Sequence, residues 1–242
     1  MDKNIFSNFF IAHRGLHNEI CPENSLSAFQ NALKHNFSIE LDVYILKDNS
    51  IVVHHDVDLN RSCGQNVLIN TLTKNDLQNY HLFNTDEHIP LLQEVFDVVQ
   101  GKVPILIEIK EFKHYKNLLN NLIPMINNYQ QKYHGEIAVQ SYNPFALRYC
   151  HKLNKQITLS YLCSKLDDYN KLPKIIKKML YSLKLYKYSK ASFVSVKKDE
   201  ISTKIIKKSN NNIIPWVITS KIEQEKFEGN CRGIIFENFI PN

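Results

Sequence analysis

Eight short apolar runs alternate with segments of helical periodicity along this chain, and that alternation limits its fold more than any other feature. The runs cover residues 9–13, 37–46, 103–109, 136–140, 157–162, 193–196, 213–218 and 233–236. Between them apolar residues recur three and four apart, as in Leu26, Phe29, Ala32 and Leu33, the spacing of one helix face. Pro22-Glu23-Asn24-Ser25 supplies the start of that helix, and Asn36 its left-handed stop. Further helices are predicted over residues 91–99, 115–133, 144–152, 172–188, 201–208 and 222–227, with Pro124 interrupting the second of these. Strands separated by helices pair in parallel, so the pattern predicts an α/β fold, a (β/α)8 TIM-type barrel. A ninth run, residues 51–55, follows the turn letters Asp48-Asn49 and predicts a β-hairpin extension after the second strand. Residues 59–88 are polar and turn-rich and read as short helical pieces. A doubly wound sheet suits the chain less well, because its six glycines form no phosphate-binding turn. No repeat or low-complexity linker interrupts the pattern, so residues 1–242 are expected to form a single domain.

Composition narrows the setting. A hydrophobic fraction of 43% over 242 residues belongs to a globular protein with a sizeable core, not a disordered one. The five cysteines are odd in number and widely spaced, with no C-x-x-C pair. They read as free thiols in a reducing compartment rather than a disulfide frame or zinc site. The apolar run near the N-terminus is short for a secretory signal and no segment reaches membrane-span length, so a cytoplasmic location is expected. The formal net charge of +6 owes much to lysines between Lys165 and Lys208. No nucleic-acid motif accompanies them, so they read as a solvated face and no nucleic-acid partner is expected.

Ionisable residues cluster at the ends of the early runs. His13-Arg14 closes the first, Glu40 and Asp42 alternate with Ile39, Leu41 and Val43 in the second, and Glu108 and Lys110 close the third. Residues two apart in a strand share a face, so Glu40 and Asp42 point the same way. A two-residue turn at Asp48-Asn49 pairs Lys47 with Ser50 and hence Asp42 with His55. That register brings His55 to the carboxylates and turns His54 to the opposite face, where alanine should be tolerated. In a TIM-type barrel the C-terminal strand ends line the active face, and His13, Arg14, Glu40, Asp42, Glu108 and Lys110 all fall there. Carboxylates in apolar strands need a cation, because an unpaired buried charge is costly. Arg14 and Lys110 offer a purely structural ion-pair network. A bound divalent cation fits better, and all-oxygen ligands suit Mg²⁺ or Ca²⁺. Arginine recognises phosphate through paired hydrogen bonds, and two imidazoles allow one general base and one general acid. Metal, basic residues and His13 with His55 together describe phosphoester cleavage.

Several segments carry a family resemblance: His13-Arg14-Gly15, Pro22-Glu23-Asn24-Ser25, Glu40-Leu41-Asp42-Val43, Lys47-Asp48-Asn49, His55-Asp56 and Glu108-Ile109-Lys110. In order and spacing they resemble the glycerophosphodiester phosphodiesterase family. Weaker likenesses continue through Ile89-Pro90-Leu91 with Glu94, Gln140-Ser141-Tyr142, Trp216 and Gly233-Ile234-Ile235. The resemblance implies a (β/α) barrel with Glu40, Asp42 and Glu108 as metal ligands and His13 and His55 as the acid–base pair. It further implies Arg14, Lys110 and Trp216 as phosphate and substrate contacts, with Glu23 and Asn24 supporting the site from behind. The implied substrate is a small glycerophosphodiester, cleaved to an alcohol and sn-glycerol 3-phosphate. The sequence departs from the family pattern at Val217, Thr219 and Phe236-Glu237, positions expected at the rim and away from the metal and the histidines.

Two other functions fit parts of the chain. A lysophospholipase D-like activity at a membrane would use the amphipathic segment around Leu172, Ile175, Ile176, Met179, Leu180 and Leu183, whose stripe reads more readily as the inner face of a barrel helix. Peripheral membrane contact is therefore not favoured. A non-enzymatic binding module on the same barrel would have no need of both imidazoles.

Overall fold

The computed structural model describes residues 10–164 and 183–242. Its strands are β1 (Phe10–Ala12), β2 (Ser38–Ile45), β3 (Ile51–Val53), β4 (Ile105–Ile109), β5 (Ile137–Ser141), β6 (Thr158–Cys163), β7 (Phe193–Lys197), β8 (Ile213–Trp216) and β9 (Ile234–Phe236). The described helices are α1 (Leu26–Lys34), α2 (Asn60–Cys63), α3 (Leu92–Val99), α4 (Tyr115–Tyr133), α5 (Pro144–Leu153), α6 (Tyr186–Ser189), α7 (Thr203–Lys208) and α8 (Lys221–Phe227), with 3-10 turns between α2 and α3. Eight strands run parallel in the order β8-β7-β6-β5-β4-β2-β1-β9, and β3 pairs antiparallel on β2. The two ends of that sheet meet just past β8, where Ile218 N–H donates to Ile235 and Glu237 N–H to Ile218, at 2.9 and 3.0 Å. The result is a nearly closed eight-stranded parallel barrel, as the alternating pattern predicts.

Side-chain alternation sorts the strand residues into layers. Ile39, Leu41, Val43, Ile105, Ile107 and Ile109 face outward into the main core with Phe29, Leu92, Leu118 and Leu122. Ile11, Leu106, Ala138, Phe193, Ile214 and Ile235 meet inside the barrel as an apolar floor. Two residues further along their strands stand His13, Glu108, Gln140, Ser195, Trp216 and Glu237. A strand's period of two thus places a polar layer directly above an apolar one.

Local chemistry explains the first turn. Gly15 has a φ of +81°, and a Cβ there would lie 2.9 Å from the Ala28 backbone carbon, so only glycine lets the chain pass α1 this closely. Ser25 caps α1 by accepting the Ala28 N–H at 3.1 Å. Asn36 takes the left-handed conformation expected at the helix stop, with φ +55°. Helix α4 runs through Pro124 without the expected interruption. Its buried stripe of Leu118, Leu119, Leu122, Ile123, Ile126 and Tyr129 contributes roughly 1.5–3 kcal/mol per side chain, which outweighs the roughly 3 kcal/mol of an internal proline. The amphipathic segment 172–188 lies mostly outside the described residues.

The hairpin differs from its predicted register by one residue. Val43 pairs with Val53 and Ile45 with Ile51, and the His54 N–H donates to the Asp42 carbonyl at 3.0 Å. Leu46 bonds Ser50 across the turn, so the loop is three residues, Lys47 to Asn49, with Asn49 left-handed at φ +67°. Alternation would then put His54, not His55, beside Asp42. The chain avoids this because β3 ends at Val53 and bends over residues 55–57, which brings His55 to the barrel mouth. His54 is 2% exposed and spent on structure: its ring nitrogens bond the Asp56 carbonyl at 2.8 Å and Ser62 Oγ at 2.7 Å. The expectation that His54 tolerates alanine is therefore kept for activity alone, since these bonds tie the ring to the stability of the bend. Losing two buried hydrogen bonds in His54→Ala is expected to cost about 2 kcal/mol of stability. The urea midpoint measures it, and an unchanged midpoint would show that the ring does not hold this bend.

Candidate active site

A cavity of about 620 Å³ opens at the C-terminal ends of the strands. Its walls include His13, Arg14, Glu40, His55, Glu108, Lys110 and Trp216, with Tyr44, Phe112, Gln140 and Tyr142. Asp42, 1% exposed, stands behind this wall. Asp42 and Glu108 are direct neighbours in the β2–β4 register, and Glu40 lies two residues back on the same face. Ligand oxygens of the three carboxylates lie within 4.8 Å of one another, a cluster that could hold a metal ion.

The charges around these carboxylates are unevenly matched. Lys110 Nζ lies 3.0 Å from Asp42 and 2.8 Å from Glu108, and Arg14 Nε lies 3.5 Å from Asp42. Although burial opposes it, Lys110, His55 and Arg14 hold the Asp42 carboxyl well below the usual range. Glu40 accepts hydrogen bonds from uncharged groups, the Arg14 backbone N–H at 3.1 Å and the Gln140 amide at 3.1 Å. Burial, then the negative charges of Asp42 and Glu108, push its proton affinity well up. Burial also raises Glu108. Three buried carboxylates thus face two cationic side chains, and a hard divalent ion fits the remaining negative charge and the all-oxygen donor set.

Each predicted histidine rests on a carboxylate. His13 Nδ1 donates to Glu237 Oε2 at 2.7 Å, and His55 Nδ1 donates to Asp56 Oδ1 at 2.6 Å. Both carboxyls are held ionised: Glu237 by its bond from His13 and by the His17 ring, whose Nε2 lies 3.7 Å away, Asp56 by the bonds from His55 and Arg61 despite the opposing effect of burial. A carboxylate can only accept, so Nδ1 carries the proton in both rings and Nε2 is left for chemistry. Burial lowers the His13 pKa below its ordinary value. Glu237 corrects the expectation that the closing Phe236-Glu237 departure stays clear of the histidines. It lies 224 residues from His13 in the chain, and no local pattern announces the contact.

The supporting residues meet from behind. Asn24 donates to Asp42 at 2.9 Å from a left-handed backbone, and Glu23 accepts from Arg14 at 2.8 Å. Trp216 lines the cavity, and its buried indole N–H has no hydrogen-bond partner among the described residues. All ten predicted site residues therefore gather in and around one cavity. Glu237, Asp56, Arg61 and Gln140 complete it: Asp56, Gln140 and Glu237 lie in segments compared with the family but have no site role read from sequence, and Arg61 has no signal in the sequence. For Asp56, adjacency to His55 was the available signal.

Comparison with known proteins agrees with this geometry. The model of the glycerophosphoryl diester phosphodiesterase family matches residues 13–238. A glycerophosphodiester phosphodiesterase of Caldanaerobacter subterraneus is 27% identical over 240 residues, covering 94% of this chain and 93% of the relative. A lysophospholipase D of Rattus norvegicus is 33% identical, but the match covers 54% of this chain and 45% of that protein. Among solved structures, a Thermotoga maritima glycerophosphodiester phosphodiesterase superposes with a TM-score of 0.72 at 24% identity, covering 95% and 94% of the two chains. An Oleispira antarctica phosphodiesterase, solved in complex with the product sn-glycerol-3-phosphate, does so at 0.75 and 18% identity, covering 96% and 93%. These structural likenesses show the shared barrel. The chain belongs to the glycerophosphoryl diester phosphodiesterase family and is thereby a phosphoric diester hydrolase.

Proposed function

We propose that the chain hydrolyses glycerophosphodiesters to an alcohol and sn-glycerol 3-phosphate by acid–base catalysis from His13 and His55. The carrying observation is that both Nε2 atoms belong to rings held by carboxylates at the mouth of one cavity that also contains Arg14 and Lys110. One imidazole takes the proton of the attacking hydroxyl. The other returns a proton to the departing alcohol oxygen as its bond to phosphorus breaks. Arg14 and Lys110 place fixed positive charge beside the phosphate. Glu40, Asp42 and Glu108 would hold a divalent ion, Mg²⁺ or Ca²⁺, whose chemistry is Lewis-acid polarisation of the phosphoryl oxygens. Trp216 would contact the substrate across the cavity. In the same reading residues 1–242 act as one domain in the cytoplasm, a placement supported by five free thiols. No described helix is long and apolar enough to cross a membrane.

Recognition of the glycerol follows from a polar site. Groups arranged for a hydroxyl are left unpaired when it is missing, and discrimination then reaches roughly ten-thousandfold. Glycerophosphocholine or glycerophosphoethanolamine is expected to be cleaved fast, and an analogue with hydrogen at C2 very slowly. The measurement is kcat/KM for the matched pair at one metal concentration. Equal values would mean that the glycerol is not read and that a general phosphodiesterase is the better description.

A further inference from the structure

Outside the cavity, one side chain joins its two halves. Arg61 lies on α2, in the excursion that follows the hairpin. Its Nε donates to Asp56 Oδ2 at 2.6 Å, while its two terminal nitrogens donate to the two carboxylate oxygens of Glu23 at 3.0 and 2.6 Å. The other oxygen of Asp56 holds His55, and Glu23 also accepts from Arg14. The contacts form one continuous chain, His55–Asp56–Arg61–Glu23–Arg14. Burial opposes ionisation of Glu23, yet the bonds from Arg61 and the charge of Arg14 bring its pKa to about 2, so this carboxylate stays ionised across the neutral range.

The planar fork is used on two sides at once. A guanidinium can meet one carboxylate with a parallel pair of N–H bonds and keep its Nε–H for a second, which a lysine ammonium cannot reproduce in one plane. The Phe83 ring lies 5.4 Å from the guanidinium carbon and backs this orientation. Phe83 itself is held in the left-handed region, at φ +50°, where a bulky residue is uncommon. A simple staple between the excursion and the barrel would need only one of the two carboxylates.

We propose that Arg61 is a positioning residue for the reaction, setting the His55 ring through Asp56 and the Arg14 guanidinium through Glu23. This rests on the acid–base role of His55 and the phosphate role of Arg14 given above. The two arms have separate kinetic signatures. Loss of the Asp56 arm misplaces a proton-transfer group and lowers kcat. Loss of the Glu23 arm loosens a phosphate contact and raises KM. Misplacement of a catalytic group by about 1 Å costs on the order of a hundredfold.

The test is steady-state kinetics of Arg61→Gln and Arg61→Lys on glycerophosphocholine, with thermal melts alongside. Arg61→Gln is expected to lower kcat roughly tenfold to a hundredfold and to raise KM, with Arg61→Lys restoring only part of either. In a His55→Ala background Arg61→Gln should lower kcat no further, and in a Glu23→Gln background it should raise KM no further. A full additional loss in both backgrounds, or a lowered melting temperature with unchanged kcat and KM, would reduce Arg61 to a staple. If His55→Ala alone keeps wild-type kcat, the acid–base assignment fails instead, and the two failures are told apart within one data set.

Discussion

Replacing Glu40, Asp42 or Glu108 by its amide is expected to lower kcat/KM by roughly a thousandfold, the scale of losing several kcal/mol of charge stabilisation at a phosphoryl group. Each substitution keeps the shape of the side chain and removes one hard, charged oxygen donor from a cluster whose members lie within 4.8 Å. EDTA should inactivate the wild-type protein, and Mg²⁺ or Ca²⁺ should restore it. A second readout does not depend on turnover. An ion that binds the folded chain alone raises its melting temperature in proportion to the logarithm of its concentration. Wild type should show this shift and Glu40→Gln should lose most of it. Glu40→Gln should also be no less stable than wild type in EDTA, because burial and two like charges oppose ionisation of Glu40. Full activity after prolonged dialysis against EDTA, with no metal-dependent shift, would remove the metal from this site.

His13→Ala and His55→Ala are each expected to lower kcat by roughly a hundredfold or more, the usual contribution of one acid–base group. The double variant should fall far short of the product of the two losses, since groups that act as a unit are not additive. His54→Ala supplies the contrast. Its ring is bonded to Ser62 and to the Asp56 carbonyl, so kinetics should change little while stability drops. Glu237→Gln should fall between them: the bond to His13 survives as a neutral one, but the charge that fixes the tautomer is gone. Wild-type kcat in both single histidine variants would sink the acid–base assignment.

The sequence by itself determined the barrel, because the two periods that define it are local. Alternation at two and helical spacing at three to four are properties of neighbouring residues, and every one of the eight parallel strands lies where those periods place it. It also determined that Glu40 and Asp42 share a face, for the same reason. Turn geometry was less legible: Asp48-Asn49 marks a turn, but a loop of two residues and one of three share those letters, and the difference moves the register by one. His55 reaches the cavity through a bend after β3, which alternation cannot express. Tertiary structure alone decided the contacts that span the chain. Closing the barrel brings β9 beside β1 and so Glu237 to His13. Folding the excursion back on the first turn brings Arg61 to Glu23, 38 residues away. Such pairs depend on where distant elements meet, and charged residues of this kind look the same in sequence whether they face solvent or hold a catalytic ring.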